Sequence, residues 1–141
     1  MSLLDQLNSS QRDAAQTIEG PLLILAGAGS GKTRVLTYRI AHLINDIGVA
    51  PWNILAVTFT NKAAGELKDR IEQLVGPKSK DVWTGTFHSI CARILRYDAE
   101  NFGLDRNFTI YDETDRRAAM RRVFEIHNVN SEQITPRSVI S

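Results

Sequence analysis

The sequence predicts an α/β fold with a parallel sheet and flanking helices. Short apolar segments that favour strands alternate with longer segments of helical periodicity. Such alternation is typical of βαβ units, whose strands run parallel. One strand–turn–helix passage, LLILAGAGSGKT at residues 22–33, also has the spacing of a phosphate-binding P-loop. The 141 residues suit one ordinary domain, and an apolar content of 43% is sufficient for a core.

In chain order, the predicted elements begin with a capped helix at residues 8–17 and an apolar strand at residues 22–26. Residues 32–46 place apolar side chains on one helical face, and a loop follows at 48–53. A second strand is predicted at 54–59, followed by a helix at 61–75 that Gly76 and Pro77 end. A third strand at 82–87 leads into a helix at 88–102 that ends at Gly103. The architecture is therefore three strand–helix units.

The last part of the chain differs in composition. Residues 108–111 could form a fourth short strand, and residues 112–128 predict a helix. Four arginines crowd this helix, at positions 116, 117, 121 and 122. A solvated helix face is the simpler interpretation, and contact with duplex phosphates is the alternative. The polar tail at 131–141 is expected to be loose.

Composition excludes several classes of protein. Seventeen basic and 16 acidic residues give a net charge of +1, so any nucleic-acid site must be local. Cys91 is the only cysteine, which excludes an internal disulfide and a multi-cysteine metal site. The apolar runs are too short to span a bilayer, and the N-terminus lacks the basic region of a signal peptide. We expect a soluble, cytoplasmic protein with no membrane partner.

The glycine-rich passage predicts a nucleoside triphosphate site. Glycines let successive N–H groups point inward around an anion, and the helix that follows adds the positive end of its dipole. Lys32 would reach the β- and γ-phosphates of ATP, and the Thr33 hydroxyl would bind Mg²⁺. The first position of the usual pattern holds alanine, which is possible at negative φ; a plain tight turn is the alternative. The predicted site comprises Ala26, Gly27, Ala28, Gly29, Ser30, Gly31, Lys32 and Thr33.

Four ordered blocks resemble the motifs of UvrD/Rep/PcrA helicases of superfamily 1. They are LNSSQRDAA at residues 7–15 (the Q motif), AGAGSGKTR at 26–34, AVTFTNKAA at 56–64 (motif Ia) and TGTFHS at 84–89 (motif Ib). The resemblance runs over residues 7–130. It implies an incomplete RecA-like P-loop NTPase sheet in residues 1–109, part of motor domain 1A, and the start of the helical accessory subdomain 1B in residues 110–141.

The resemblance also assigns roles to nucleotide-site residues. It implies that Gln11 reads the adenine edge, as an amide with paired donor and acceptor can. The local alternative is a capping box with Asn8, and both can hold together. Arg34 resembles the residue that packs on the base or ribose; a solvated helix arginine is its alternative.

The resemblance further implies that two strand ends grip single-stranded DNA. Ligands of open α/β sheets lie at such ends. The residues are Phe59, Thr60, Asn61, Lys62, Thr86, Phe87, His88 and Ser89. From the residues alone, Phe59 could instead be a core aromatic, Thr60 or Asn61 a helix cap, and His88 a buried, hydrogen-bonded histidine.

The parent protein is expected to be an ATP-dependent 3′→5′ DNA helicase acting at junctions of single- and double-stranded DNA. An N-terminal part of a recombination helicase–nuclease, or a stand-alone P-loop binding or kinase module, is the alternative. The Asp-Glu pair that hydrolysis needs is missing. Asp112-Glu113 follows only a short apolar run and precedes Thr114-Asp115 instead of Gln-Asp, and Asp112 and Asp115 are better explained as the N-cap and first-turn acids of a helix than as magnesium ligands. We therefore expect no ATPase or unwinding activity from these residues alone, and self-association through unpaired strand edges. A role in DNA repair or in DNA replication is left open.

Overall fold

The computed structural model describes residues 3–27, 29–129, 134–135 and 139. These residues form two compact units, which meet in the sequence between Leu95 and Arg96. The predicted tail at 131–141 lies mostly outside the described residues, as does Ala28 of the predicted P-loop. The predicted boundary between residues 109 and 110 concerns subdomains of the resembled family and stays a prediction.

The first unit is a mixed α/β structure, as the sequence predicts. Its helices are α1 (Ser9–Gln16), α2 (Lys32–Asn45), α3 (Asn61–Val75) and most of α4 (Phe87–Tyr97), and its strands are β1 (Leu55–Thr58) and β2 (Trp83–Thr86). Short 3₁₀ helices lie at Leu3–Gln6, Pro51–Asn53 and Gly76–Asp81. Amphipathic periodicity explains α3, which turns Leu67 and Ile71 inward and exposes its charged residues.

The two strands form a parallel pair with α3 as the connection between them. Leu55 lies opposite Trp83, and Thr58 lies opposite Thr86. Because the strands are parallel and in register, their carboxyl ends meet at one edge of the sheet. The main core packs against this pair and consists of Ile40, Ile44, Ile54, Ala56, Leu67, Ile71 and Val82.

A second, smaller core lies where α1 and the first 3₁₀ helix meet α2. Its buried members are Leu4, Leu7, Ala15 and Tyr38. Leu3 and Leu74 pack against its margin. This cluster places the N-terminal segment beside the start of α2, where the glycine-rich loop ends.

Two predicted strands are absent from the sheet of the described residues. Residues 21–27 run without regular secondary structure, and Leu23 and Leu25 are 80% and 85% exposed. Residues 108–111 are also irregular. The prediction of strand at 22–26 and at 108–111 was wrong for this structure, because a strand requires a hydrogen-bonded partner and, in the described part of the chain, β1 and β2 pair only with each other. The sheet is therefore smaller than the sequence suggests.

The second unit contains a 3₁₀ helix at Ala99–Phe102 and the helix α5 (Glu113–Ile126). The helix predicted over 88–102 is thus shorter, and the chain turns at Gly103 with φ of 67°. The Arg96 guanidinium lies over the Phe108 ring, 5.3 Å from its centroid. Among the described residues, none of the helices has the length and apolar composition needed to cross a membrane.

Candidate nucleotide and nucleic-acid site

The glycine-rich loop ends in a backbone geometry that suits an anion. Gly29 and Gly31 have φ of 75° and 87°, a region that side-chain-bearing residues rarely adopt. Gly31 is the N-cap of α2 and offers no side-chain oxygen to the first-turn N–H groups. Those N–H groups, which have no partner within the helix, are left for an anion at the positive end of the helix dipole.

The Lys32 side chain bonds back to the start of the glycine-rich loop. Its Nζ donates to the carbonyl oxygens of Ala26 and Gly27, each at 2.8 Å. Ser30 Oγ donates to the same Gly27 carbonyl at 2.7 Å. Two neutral carbonyl oxygens therefore hold the lysine ammonium beside the loop. A phosphate could displace them, because it would give the ammonium a stronger, charge-assisted hydrogen bond.

Gln11 joins α1 to the loop. Asn8 Oδ1 accepts from the Gln11 backbone N–H at 2.9 Å, and Gln11 Oε1 accepts from the Asn8 backbone N–H at 3.3 Å. This reciprocal pair confirms the predicted capping box. Gln11 Nε2 also donates to the Ser30 carbonyl at 3.1 Å, so the side chain serves the cap and the loop together.

A cleft of about 260 Å³ lies beside the loop. Gln11, Ser30 and Lys32 bring polar atoms to it from three successive parts of the chain. Sequence reasoning did not assign Ser10 and Ala14 to the site, although Ala14 lies three residues after Gln11 and four after Ser10, the spacings that bring helical side chains together. The cleft is lined by Asn8, Ser10, Gln11, Ala14, Ile24, Leu25, Ala26, Ser30, Lys32 and Val35.

Arg34 lies outside this lining. Its Nη2 donates to the Gln6 carbonyl at 2.9 Å, and its guanidinium lies 5.3 Å from the centre of the Tyr38 ring. The Tyr38 hydroxyl donates to Gln6 Oε1 at 2.7 Å. In this structure Arg34 therefore anchors the N-terminal 3₁₀ helix, and Thr33 is exposed in the first turn of α2.

The ends of β1 and β2 bring two aromatic side chains together. The Phe59 and Phe87 ring centroids are 5.3 Å apart, with an angle of 46° between the ring planes. Phe59 is 89% exposed and Phe87 is 47% exposed. The interpretation of Phe59 as a core aromatic is therefore wrong. The rings follow strand ends whose parallel pairing places them at one edge.

Helix caps fix both sides of this aromatic pair. Thr60 Oγ1 accepts from the Ala63 N–H at 3.1 Å, which confirms Thr60 as the N-cap of α3. At the start of α4, Thr86 Oγ1 accepts from the Ser89 N–H at 3.2 Å, and Ser89 Oγ accepts from the Thr86 N–H at 2.9 Å. Thr86 is buried, and Ser89 thus orients the turn that carries Phe87.

The polar residues of these strand ends are accessible. Asn61 and Lys62 are exposed in the first turn of α3. His88 is exposed in the first turn of α4, so the alternative of a buried histidine was wrong. Two helix N-termini and one lysine thus lie beside the aromatic pair.

The Asp112-Glu113 segment forms a helix start, as expected. Asp112 Oδ1 accepts from the Asp115 N–H at 2.8 Å, and Asp115 Oδ2 accepts from the Asp112 N–H at 3.1 Å. Glu113 pairs with Arg116 and Arg117 on the exposed surface. The hydrogen bond from Arg116 lowers the pKa of the Glu113 carboxyl. In the described part of the chain, His, Cys, Asp and Glu side chains form no group of three or more that could hold a metal ion.

Comparison with known proteins agrees with these motifs. The profile of the family described as "UvrD/REP helicase N-terminal domain" matches residues 7–140. An ATP-dependent DNA helicase PcrA of Staphylococcus aureus (strain Mu50) is 52% identical over 139 residues, 99% of this chain and 19% of the relative. A protein of the same name from Staphylococcus epidermidis (strain ATCC 12228) is 54% identical over 139 residues, which are 99% of this chain and 19% of that relative. The chain therefore spans about a fifth of these relatives, and it belongs to the UvrD/REP helicase family, matching the N-terminal domain.

Proposed function

We propose that this chain is the ATP-binding and partial DNA-binding portion of an ATP-dependent DNA helicase. The observation that carries the proposal is the loop at the start of α2, where Gln11, Ser30 and Lys32 line one cleft. The names of the similar proteins support the same class of enzyme. The alternatives of a helicase–nuclease and a stand-alone nucleotide kinase have no comparable support.

The loop residues fit a triphosphate with Mg²⁺. The N–H groups at the start of α2 and the Lys32 ammonium are donors suited to phosphate oxygens. Lys32 would exchange the Ala26 and Gly27 carbonyls for the β- and γ-phosphates. The Thr33 hydroxyl would supply one oxygen to Mg²⁺, an ion that commonly keeps few protein ligands beside phosphate and water. Bound ATP would supply the bond between its β- and γ-phosphates, whose hydrolysis drives a helicase.

Base recognition is assigned to Gln11. An amide presents a donor and an acceptor side by side, which match N7 and N6 of adenine. Guanine offers an acceptor where adenine offers its N6 donor, so the same amide discriminates against guanine. Arg34 would pack on the base or ribose after leaving its contact with Gln6.

Single-stranded DNA is assigned to the aromatic edge formed by Phe59 and Phe87. Exposed rings beside two helix N-termini offer stacking for bases and donors for phosphates. Lys62, Asn61 and His88 would add contacts to the backbone. By family resemblance, the whole protein would move 3′→5′ and unwind duplexes at junctions.

The proposed division places motor domain 1A in residues 1–109 and the start of subdomain 1B in residues 110–141. Within this sequence no apolar strand ends in Asp-Glu followed by Gln-Asp. We therefore expect these residues alone to bind ATP without hydrolysing it and without unwinding DNA. DNA repair or replication would be the setting, in the cytoplasm.

The nucleotide site is tested by titrating the chain with ATP in the presence of Mg²⁺. Lys32→Ala should abolish measurable binding, because Lys32 carries the only side-chain ammonium among the described residues that line the cleft. Lys68→Ala, an exposed lysine on α3, is the matched control and should bind as the unaltered chain does. Equal affinity in both variants would refute the assignment of Lys32.

The DNA site is tested by fluorescence anisotropy with a labelled single-stranded oligothymidine. A lost base–aromatic stack costs about 1–3 kcal/mol, so Phe59→Ala should weaken binding by about 5- to 150-fold. Trp52→Ala is the control, since Trp52 is 65% exposed but lies before the opposite end of β1. Equal losses in the two variants would refute a specific aromatic edge.

A further inference from the structure

The placement of Gln11 against the loop depends on close contact. Gln11 Nε2 donates to the Ser30 carbonyl, and a Cβ placed on Gly31 would lie only 2.8 Å from the same nitrogen. The amide therefore packs directly on the backbone of the loop. A small displacement of α1 would break this hydrogen bond and move the amide away from the cleft.

The helix that carries Gln11 cannot hold this position by itself. α1 has eight residues, and Ala15 is the one it buries. Helices of this length are unstable in water unless tertiary contacts support them. The position of Gln11 therefore depends on tertiary contacts, which include the Arg12 hydrogen bond to the Leu4 carbonyl and the groups that bind the N-terminal segment to α2.

Those groups lie at the two ends of the N-terminal segment. Before α1, Arg34 and Tyr38 both bond to Gln6. After Gln11, the Arg39 guanidinium donates to the carbonyl of Ala14 at 2.9 Å and to the carbonyl of Thr17. Arg39 thus binds the C-terminal end of α1 and the residue that caps it.

Arg39 suits this task chemically. Carbonyls in the last turn of a helix lack partners within the helix, and a cation there interacts favourably with the helix dipole. The planar guanidinium can bridge two acceptors at a fixed separation, which the ammonium of lysine does less well. Arg39 is half-buried on α2, the helix that begins at Lys32, so it joins α1 directly to the rigid element behind the loop.

We propose that Arg39 is a positioning residue for Gln11 and therefore helps to set the preference of the site for adenine over guanine nucleotides. The inference rests on the proposed role of Gln11 in base recognition. Arg39 itself does not line the cleft. Its effect passes through the end of α1 to the amide.

The experiment measures the dissociation constants of ATP and GTP with Mg²⁺ by calorimetry, and the readout is their ratio. The unaltered chain should prefer ATP. Gln11→Ala should reduce the preference by about twofold to tenfold, the range of one net hydrogen bond. Arg39→Ala should reduce it by a similar factor, and the double variant should lose no more than either single one. Arg39→Lys should retain part of the preference.

Ile71→Val provides a control for stability alone. It removes one methylene group from the main core, in which α1 has no member, and should leave the ratio unchanged. A structural role for Arg39 without positioning predicts that Arg39→Ala weakens ATP and GTP equally, and this result would overturn the inference. Additive losses in the double variant would overturn it as well.

The results that would contradict the proposed function differ from those that would contradict the role of Arg39. If the unaltered chain does not bind ATP, the assignment of the loop is wrong. If Gln11→Ala keeps the full preference for ATP, the base-reading role of Gln11 is wrong. A loss in Gln11→Ala without a loss in Arg39→Ala rejects only the role of Arg39.

Discussion

Gly31→Ala is the substitution for which the structure makes the sharpest prediction. Gly31 is the N-cap of α2 and has φ of 87° and ψ of 21°. An alanine there must hold a left-handed backbone conformation, and its Cβ would lie 2.8 Å from Gln11 Nε2. Since Nε2 is the end of a flexible side chain, the clash is relieved by moving the amide, which breaks its bond to the Ser30 carbonyl.

The expected cost has two parts. A residue with Cβ in the left-handed region costs about 1–2 kcal/mol. Loss of the hydrogen bond from Gln11 adds about 0.5–1.5 kcal/mol. The free energy of unfolding of the first unit should therefore fall by about 1.5–3.5 kcal/mol in all, which is a large share of the stability of a small domain.

Two other glycines separate these parts. Gly29 has φ of 75° but open space around its Cβ position, so Gly29→Ala should cost only the backbone strain. Gly65 lies inside α3 with nothing near its Cβ position, so Gly65→Ala should raise stability by about 0.5–1 kcal/mol. The three variants should thus rank Gly65→Ala, Gly29→Ala, Gly31→Ala in decreasing stability.

Urea unfolding followed by tryptophan fluorescence measures the effect, because Trp52 and Trp83 both lie in the first unit. If Gly31→Ala lowers the free energy of unfolding no more than Gly29→Ala does, the inferred close contact of Gln11 with the loop is wrong. If Gly31→Ala is as stable as Gly65→Ala, the left-handed conformation of Gly31 is wrong as well.

Three further predictions concern the rest of the chain. Asp112→Ala removes the N-cap of α5 and should lower its stability by about 1 kcal/mol, seen as reduced helical circular dichroism in urea. Because the hydrogen bond from Arg116 lowers the pKa of Glu113, the stabilisation from this carboxylate is present above its ordinary pKa of 4.5 and is lost as the pH falls through the lowered value. Glu113→Gln should remove that part of the acid dependence of α5, and an unchanged acid profile would contradict the pairing. The exposed side chains of Leu23 and Leu25, together with open strand edges, should cause the chain to self-associate. Replacing both leucines with lysine should shift sedimentation velocity profiles towards monomer, whereas a strictly monomeric unaltered chain at high concentration would contradict this expectation.

Local chemistry explains which parts of the structure could be predicted. The capping boxes at Asn8 and Asp112 follow from a polar cap and a suitable side chain three residues later, and both form. The helix at Asn61–Val75 has the predicted bounds, because its periodicity and the glycine that ends it are local signals. Helix α2 begins at Lys32, as predicted, for the same reason.

The predictions that failed required knowledge of distant partners. Residues 22–26 have the composition of a buried strand, yet a strand exists only where another strand offers hydrogen bonds. The exposure of Phe59 and His88 could not be inferred either, because a strand-end residue packs inward or outward according to what covers it. No local signal distinguishes Arg39 from an ordinary solvated helix arginine.

The sequence by itself determined the α/β class, the glycine-rich loop before α2, the helix caps and membership of a helicase family, because these depend on residues close together in the chain. Only the tertiary structure decided that Phe59 and Phe87 form one aromatic pair, that Gln11 rests on the loop, and that Arg39 binds the end of α1. Each of these contacts joins residues well separated in the sequence, and it exists because parallel strand pairing and the packing of α1 on α2 bring them together.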